Sequence, residues 1–278
     1  MTYVGQAKGG LEYYPCRYER SRVLFRGPRR RLSGDYLAFL GGTETYGRFI
    51  ATPFVALTER QLGLSCVNFG YVNAGLDLYL NDPAVLSIAE GAVGTVIQVM
   101  GAQNMSNRYY SVHPRRNDRF LRAARGLQAI YPEVDFTEFH FTRHMLCRLQ
   151  TLSPERFALV ADELRSAWLA RMKQVLATLR GPVVLLWFAP EAPATSECNL
   201  VEGDPLFLDR SMIEALRPRV SAVVEVTASD RSRAEGTEGM VFTEFEASAA
   251  AEQMGIACHE EAAEALAATL ADMLSVEV

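Results

Sequence analysis

Short apolar segments alternate along this chain with connections long enough to form helices. Five segments, at about 36–40, 65–69, 93–100, 182–188 and 220–226, have the composition of buried strands. Helical periodicity or capping signals mark the connections at about 52–62, within 75–90, at about 153–180 and from His259 to about Leu274. The alternation predicts an α/β fold, a three-layer sandwich with a mainly parallel central sheet and helices on both faces. Ligand chemistry is then expected at the carboxyl ends of the strands.

Local signals refine two of the connections. Thr52 is a candidate N-cap, with Pro53 as the first helical residue. After a polar loop at 101–117, Asn117 is a candidate N-cap of an amphipathic helix. Four apolar residues of that helix have helical spacing: Leu121, Ala124, Leu127 and Ile130. The following segment, 134–141, is compatible with a strand or with a buried irregular segment.

The simplest division of the 278 residues is an N-terminal extension, residues 1–34, followed by a single domain, residues 35–278. The content of 49% hydrophobic and 22% charged residues is typical of a globular protein. No apolar run approaches the roughly 20 residues of a transmembrane helix. The first residues lack the charged-then-apolar order of a secretory signal. We therefore expect no membrane span and a cytoplasmic location.

The cysteine and histidine patterns argue against a metal site. The chain has an odd number of widely spaced cysteines and no CxxC pair: Cys16, Cys66, Cys147, Cys198 and Cys258. This pattern indicates structural thiols rather than a disulfide framework or a cysteine-rich zinc site. His140 and His144 are four residues apart, but no acidic or cysteine ligand stands beside them. No metal is therefore expected.

The positive charge is almost entirely arginine. Of the 28 basic residues only Lys8 and Lys173 are lysines, and the arginines concentrate at 17–31 and in His113-Pro-Arg-Arg-Asn-Asp-Arg119. The net charge of −5 gives no reason to expect nucleic-acid binding. Arginine suits bidentate contacts with phosphate or carboxylate groups, although the same clusters are compatible with a solvated surface. The second cluster is the better candidate for an anion site, because it lies in the loop predicted after the third strand.

The turn after the first strand resembles a known catalytic block. Gly41-Gly42-Thr43-Glu44-Thr45-Tyr46-Gly47 is similar to the first block of the SGNH, or GDSL-like, hydrolases, Gly-Asp-Ser-x-Thr-x-Gly. Gly42 stands at the place of the family's Asp and Thr43 at the place of its nucleophilic Ser, whereas Thr45 and Gly47 match. Threonine is a bulkier nucleophile that usually needs a specialised base.

Later segments resemble the other SGNH blocks in order. Gly70, after the second strand, matches the glycine whose backbone N–H helps to form the oxyanion hole. Gln103 stands at the position of the family's oxyanion-binding Asn, and Asn104 is the neighbouring amide. His259 opens the last helix as the catalytic histidine does, but Ile256 occupies the place of the acid that orients it. The proline- and acid-rich segment 190–205 is expected to border a cleft.

The resemblance implies an acyl-group enzyme, either an esterase or an O-acyltransferase acting on a hydroxyl of a saccharide or a similar small molecule. Thr43 would attack or position the acyl carbonyl, and His259 would take the proton. Further residues are implied in the oxyanion hole or as substrate-binding candidates: Gly70, Gln103, Asn104, Glu44, Thr45 and Asn73. This scheme requires no cofactor.

A loose resemblance to capsule-polysaccharide acetyltransferases of GDSL-like fold adds acyl-coenzyme A as a possible donor. Its phosphates would contact His113, Arg115, Arg116 and Arg119.

Two other functions are compatible with the same residues. The loss of the Ser and Asp of the family motif favours a catalytically inactive SGNH-like module that binds a saccharide or a protein partner. A sulfotransferase-like enzyme would instead use the Gly41–Gly47 loop to hold a phosphorylated donor at a helix N-terminus. That loop lacks both the lysine and the spacing of a P-loop. The oligomeric state is left open by the sequence.

Overall fold

The central sheet has five parallel strands. The computed structural model describes residues 10–196 and 201–275. The sheet strands are β1 (Tyr36–Leu40), β2 (Ser65–Asn68), β3 (Gly94–Gln98), β6 (Val183–Ala189) and β7 (Ala222–Thr227), in the spatial order β2-β1-β3-β6-β7. Two further strands, β4 (Tyr110–His113) and β5 (Arg116–Ala123), form a separate antiparallel hairpin. The strand order reverses between β1 and β3, where ligands of open parallel sheets bind.

Helices follow the strands on both sides of the sheet. They are α1 (Thr43–Tyr46), α2 (Phe54–Leu62), α3 (Leu76–Leu80), α4 (Pro83–Glu90), α5 (Arg125–Ile130), α6 (Thr142–Leu152), α7 (Pro154–Thr178), α8 (Arg210–Glu214), α9 (Asp230–Glu235), α10 (Ala247–Ala251) and α11 (Ile256–Ser275). Short 3-10 turns lie at 136–138, 217–219 and 244–246. The Ser153 hydroxyl accepts a hydrogen bond from the Arg156 N–H, so α7 begins with the predicted serine cap and proline. In the described part of the chain, no helix has the length and apolar content that crossing a bilayer requires.

The sheet separates two hydrophobic cores, because alternate residues of a strand point to opposite faces. Leu37 and Phe39 of β1 pack with residues of α2 and α11. Ala38 and Leu40 belong to the larger core, which includes residues of α3, α4 and α7. This arrangement confirms the predicted three-layer α/β sandwich with a parallel central sheet.

The region after the third strand differs from the prediction. Residues 116–123 form β5 instead of a helix, and the helix that follows covers only Arg125–Ile130. The Asn117 side chain does cap a helix, but its Oδ1 accepts from Gly75 N at 2.9 Å and Leu78 N at 3.0 Å, at the start of α3. A contact between residues about forty positions apart therefore determines the role of Asn117, so the helical spacing after it was misleading.

Two helix starts also differ from the prediction. The N-cap of α2 is Pro53, not Thr52, and the helix begins at Phe54. Helix α11 begins at Ile256, three residues before the predicted start at His259, so His259 lies within its first turn. Both shifts involve the same contact, because the Phe54 N–H donates to His259 Nδ1 at 3.1 Å.

The described part of the predicted N-terminal extension, residues 10–34, packs on the domain. Tyr18, Val23 and Phe25 are buried in the larger core, and Cys16 and Phe25 form an isolated antiparallel bridge. Arg26 is only 7% exposed. Its guanidinium donates to the backbone carbonyls of Tyr46, Gly47, Ile50 and Ala51, at distances between 2.5 and 3.1 Å. Arg26 therefore holds the chain directly after α1.

Candidate functional site

One pocket brings together most of the predicted site residues. It has a volume of about 550 Å³ and lies at the carboxyl ends of β1, β3 and β6. Five predicted residues line it: Thr43, Glu44, Asn73, Gln103 and Asn104. Pro190, Gly203 and Asp204 also line it, as expected for the 190–205 segment, although residues 197–200, including Cys198, lie outside the described residues. A smaller cavity of about 280 Å³ between the N-terminal residues and α2 is lined by none of the predicted site residues.

Gln98, at the end of β3, holds the turn after β1. Its Oε1 accepts from Gly42 N at 3.0 Å, from Thr45 N at 3.1 Å and from Thr45 Oγ1 at 2.6 Å. The Gly41 N–H donates to the Tyr79 hydroxyl at 2.8 Å. These backbone donors are therefore occupied by protein groups, which argues against the phosphate-holding role considered for the loop. Thr45 is 1% exposed and has a structural role instead of the predicted binding role.

Thr43 is positioned by Asn73. The Asn73 N–H donates to Thr43 Oγ1 at 3.0 Å, and that hydroxyl lies 3.4 Å from Asn73 Oδ1. Asn73 has a left-handed backbone, with φ of 55°, which asparagine adopts more readily than most residues. Within the described residues, both hydrogen bonds of the Thr43 hydroxyl join it to Asn73, and neither involves a histidine.

His259 lies in the core and does not line the pocket. Its side chain is 0% exposed and packs against the rings of Phe54 and Phe188, with centroid distances of 5.6 and 5.2 Å. Because Nδ1 accepts the Phe54 N–H, we assign the proton of the neutral imidazole to Nε2. Nε2 lies 3.6 Å from Glu44 Oε2, a long contact for a hydrogen bond. In this arrangement Nδ1 is occupied by the Phe54 N–H and Nε2 carries the proton, and neither nitrogen contacts Thr43 within the described residues.

Glu44 is the carboxylate that faces His259 from the pocket lining. Its Oε1 accepts the Met254 N–H at 3.1 Å, while Oε2 lies 3.6 Å from His259 Nε2. The side chain is 13% exposed and lines the pocket. One backbone donor thus orients a carboxylate that still reaches the ligand space. Glu44 was predicted only as a substrate-binding residue.

The three predicted oxyanion donors differ in what they contact. The Gly70 N–H donates to Asn68 Oδ1 at 2.8 Å, and a Cβ at Gly70 would lie 2.2 Å from Tyr46 N. Gly70 is thus required for close packing against α1, and its N–H is already engaged. Asn104 lines the pocket, and its Nδ2 donates to the Asn73 carbonyl at 3.1 Å. An amide nitrogen carries two hydrogens, so Asn104 keeps one further donor.

Gln103 is 7% exposed and makes a side-chain hydrogen bond to Asp204. Asp204 was not singled out in the sequence. Desolvation raises its pKa to about 6, Arg143 opposes the rise and Glu44 adds to it. Although the residue as a whole is exposed, protein atoms crowd its carboxyl, and this local desolvation is the main cause of the raised pKa. A perturbed carboxyl beside a second carboxylate is a common property of functional sites.

The arginine-rich segment forms the β4–β5 hairpin. His113 Nδ1 accepts the backbone N–H groups of Arg115 and Arg116, both at 3.2 Å, so it shapes the turn. The side chains of Arg115 and Arg116 are exposed and do not line the pocket. Arg119 lies 4.2 Å from the ring centroid of Phe141, which does line it. The structure therefore brings only the Arg119 end of this segment close to the pocket.

A metal centre is not formed by the described residues, in which no group of three or more His, Cys, Asp or Glu side chains could hold an ion.

A family model described as "Domain of unknown function (DUF6473)" matches residues 1–274. No curated protein matches the chain. Similar solved structures include a carbohydrate esterase family 2 enzyme with a carbohydrate-binding domain from Corynascus thermopiles (Myceliophthora fergusii), with 12% identity and a TM-score of 0.46, covering 90% of this chain and 69% of that one.

Two further structures have similar scores. A protein from Desulfitobacterium hafniense DCB-2 assigned to the lipolytic G-D-S-L family has 12% identity and a TM-score of 0.42, covering 85% of this chain and 99% of that one. An acetylxylan esterase from Geobacillus stearothermophilus, in a form with a catalytic substitution, has 16% identity and a TM-score of 0.41. The match covers 86% of this chain and 94% of that one. The set includes the family that the Gly41–Gly47 motif resembles.

Proposed function

This chain belongs to the family described as "Domain of unknown function (DUF6473)", and we propose that it is an acyl-ester hydrolase whose general base is Glu44. The observation that carries the proposal is the setting of the Glu44 carboxylate. It lines a pocket at the switch point of a parallel sheet, accepts the Met254 N–H at 3.1 Å and faces the buried His259 imidazole. A carboxylate fixed in this way can accept a proton without changing its orientation.

In the proposed reaction, Glu44 takes a proton from a water molecule whose oxygen attacks the acyl carbon. The tetrahedral intermediate then carries a negative oxygen, which the free hydrogen of Asn104 Nδ2 can stabilise. Collapse breaks the bond to the alcohol oxygen, which takes up the proton held by Glu44. The products are a carboxylic acid and an alcohol, and Glu44 returns to its ionised state.

The same base would serve an acceptor hydroxyl in place of water. The enzyme would then be an O-acyltransferase, with a saccharide or similar hydroxyl as acceptor and acyl-coenzyme A as one donor to be tested. Water is favoured as the attacking group, because Arg115 and Arg116, the expected contacts for the donor's phosphates, lie outside the pocket lining. Release of free coenzyme A from acetyl-coenzyme A measures this alternative directly.

The first test is hydrolysis of a small aryl acetate by the wild type and by variants of Thr43. Thr43→Val keeps the shape of the side chain and removes the hydroxyl that accepts the Asn73 N–H. If water is the nucleophile, Thr43→Val loses only the hydrogen bonds of this hydroxyl to Asn73, and kcat should fall about tenfold or less, corresponding to about 1.4 kcal/mol or less. Thr43→Ser should keep most of the activity in either case.

A different mechanism would be required if Thr43→Val fell to the buffer rate while Thr43→Ser stayed active. Thr43 would then be the nucleophile, as the family resemblance implies.

A non-catalytic binding module is the second candidate. The engagement of His259 by Phe54 favours it, because an SGNH-type histidine must be free to exchange protons. A folded wild type with no turnover above buffer for either the ester or acetyl-coenzyme A would support this candidate.

A further inference from the structure

The pocket has a strongly acidic lining. Four carboxylates line it, those of Glu44, Asp118, Asp204 and Glu252, whereas Arg143 is the single basic residue in the described lining. The Arg143 guanidinium donates to the Gly203 carbonyl at 3.1 Å, and it lies close enough to Asp204 to lower the pKa of that carboxyl. One guanidinium cannot balance four carboxylates, so the pocket has a negative potential that attracts cations.

Unpaired acceptors add to this preference. Gln103 is 7% exposed and lines the pocket, and its Oε1 has no hydrogen-bond partner among the described residues. The same holds for Oε1 of Gln253, another lining residue. Both oxygens are buried, so a donor ligand would reach them after the side-chain amide turns toward the pocket, and such a hydrogen bond would remove the cost of an unpaired acceptor. The polar groups of the pocket therefore fit a ligand with N–H or O–H donors better than one rich in acceptors.

The acidic groups do not converge on a point. No set of three metal-ligating side chains in the described residues could hold an ion. A distributed negative charge suits an organic cation, which spreads its charge over a larger volume than a metal ion does. The ring of Phe141 is 41% exposed at the pocket and already attracts the Arg119 guanidinium to one face, at 4.2 Å from its centroid. An aromatic face of this kind also binds ammonium groups.

We propose that this pocket selects esters whose alcohol part carries an ammonium group. The inference rests on the proposed ester hydrolysis for its reaction, but its binding component can be tested separately. It predicts that, of two esters with the same size and shape, the enzyme hydrolyses the one with a positively charged alcohol part more efficiently.

Dimethylaminoethyl acetate and isopentyl acetate form a matched pair, because they have the same branching and differ in replacing N–H⁺ by C–H. We expect kcat/KM for the ammonium ester to exceed that for the neutral ester by about tenfold or more at low salt, equivalent to about 1.4 kcal/mol. The preference should shrink at high salt, since screening weakens the field of the carboxylates. Glu252→Gln and Asp204→Asn should each reduce it several-fold.

Binding of the two product alcohols, dimethylaminoethanol and isopentanol, should be measured by calorimetry on the same wild-type protein. Tighter binding of the ammonium alcohol, reduced in Asp204→Asn, supports the selectivity even if no ester is hydrolysed, in which case only the proposed function fails. Equal binding of the two alcohols, or better use of a neutral acetylated sugar than of the ammonium ester, would overturn it.

The pH dependence gives an independent readout. The groups that act on the Asp204 carboxyl are Glu44, Arg143, the Gln103 side chain and the Leu206 N–H. With its pKa raised to about 6, Asp204 gains its negative charge as the pH rises through that value. A cation favours the ionised carboxyl, so the affinity for dimethylaminoethanol should increase between about pH 5 and pH 7. Asp204→Asn should flatten this rise, and a rise that persists unchanged in the variant would contradict the role of Asp204.

Discussion

Replacing Glu44 by glutamine is expected to lower kcat for ester hydrolysis by about 10²–10⁴-fold, the usual contribution of a positioned general base. Glutamine keeps an oxygen that can accept the Met254 N–H, but it cannot take a proton from water at neutral pH. Its amide nitrogen would also face His259 Nε2 in place of the carboxylate oxygen that lies 3.6 Å away. The loss should therefore appear in kcat more than in KM, as expected when a transition-state interaction is removed.

Glu238→Gln is the matched control, because it makes the same chemical change at an exposed glutamate that does not line the pocket. The control should retain wild-type turnover. Circular dichroism and thermal unfolding of both variants would show whether the fold is kept. A folded Glu44→Gln protein with turnover within tenfold of the wild type would rule out Glu44 as the base.

Replacing Arg26 by methionine should lower the free energy of unfolding by about 3 kcal/mol or more. The substitution leaves backbone carbonyls after α1 without their donor, and each unsatisfied buried acceptor costs about 1–3 kcal/mol. For a chain of this size the melting temperature should fall by roughly 6–12 °C. Methionine approximates the length of the arginine stem, so the effect isolates the lost hydrogen bonds.

Arg29→Met provides the comparison for this variant. Arg29 is exposed, and its guanidinium lies 5.7 Å from the ring centroid of Tyr18, so its loss should cost about 1 kcal/mol or less. Chemical denaturation with a common slope for the three proteins would measure the two differences. Similar midpoints for Arg26→Met and Arg29→Met would mean that water replaces the guanidinium at these carbonyls.

The sheet could be predicted because its signal is local. A parallel strand buried on both faces is a largely apolar run, and β1, β3 and β6 are buried along their whole length. The β4–β5 hairpin could not be predicted in the same way. Leu121 contributes to the helical spacing of its region, yet it is 55% exposed on β5. Pairing of residues 116–123 with β4 makes this segment a strand, and the spacing of its apolar residues does not reveal that pairing.

The site was predictable where residues follow strands. Thr43 follows β1 and Asn104 follows β3, and the carboxyl ends of neighbouring parallel strands meet at one edge of the sheet. Residues from irregular segments, such as Asp204, have no such signal. His259 lies within the first turn of α11, where its imidazole packs against Phe54 and Phe188. These contacts come from segments distant in the sequence, so the motif around His259 could not predict them.

The Gln98 side chain satisfies three hydrogen-bond donors of the turn at Gly42–Thr45 from inside the protein, using one uncharged oxygen. The polar groups that surround a ligand therefore come mainly from connecting segments, including those at Asn73, Arg143 and Asp204. Such connections tolerate sequence change better than strands do. Sequence changes in these connecting segments could thus alter which ligand is bound, while the turn held by Gln98 stayed the same. Ligand specificity could therefore change in evolution without loss of the fold.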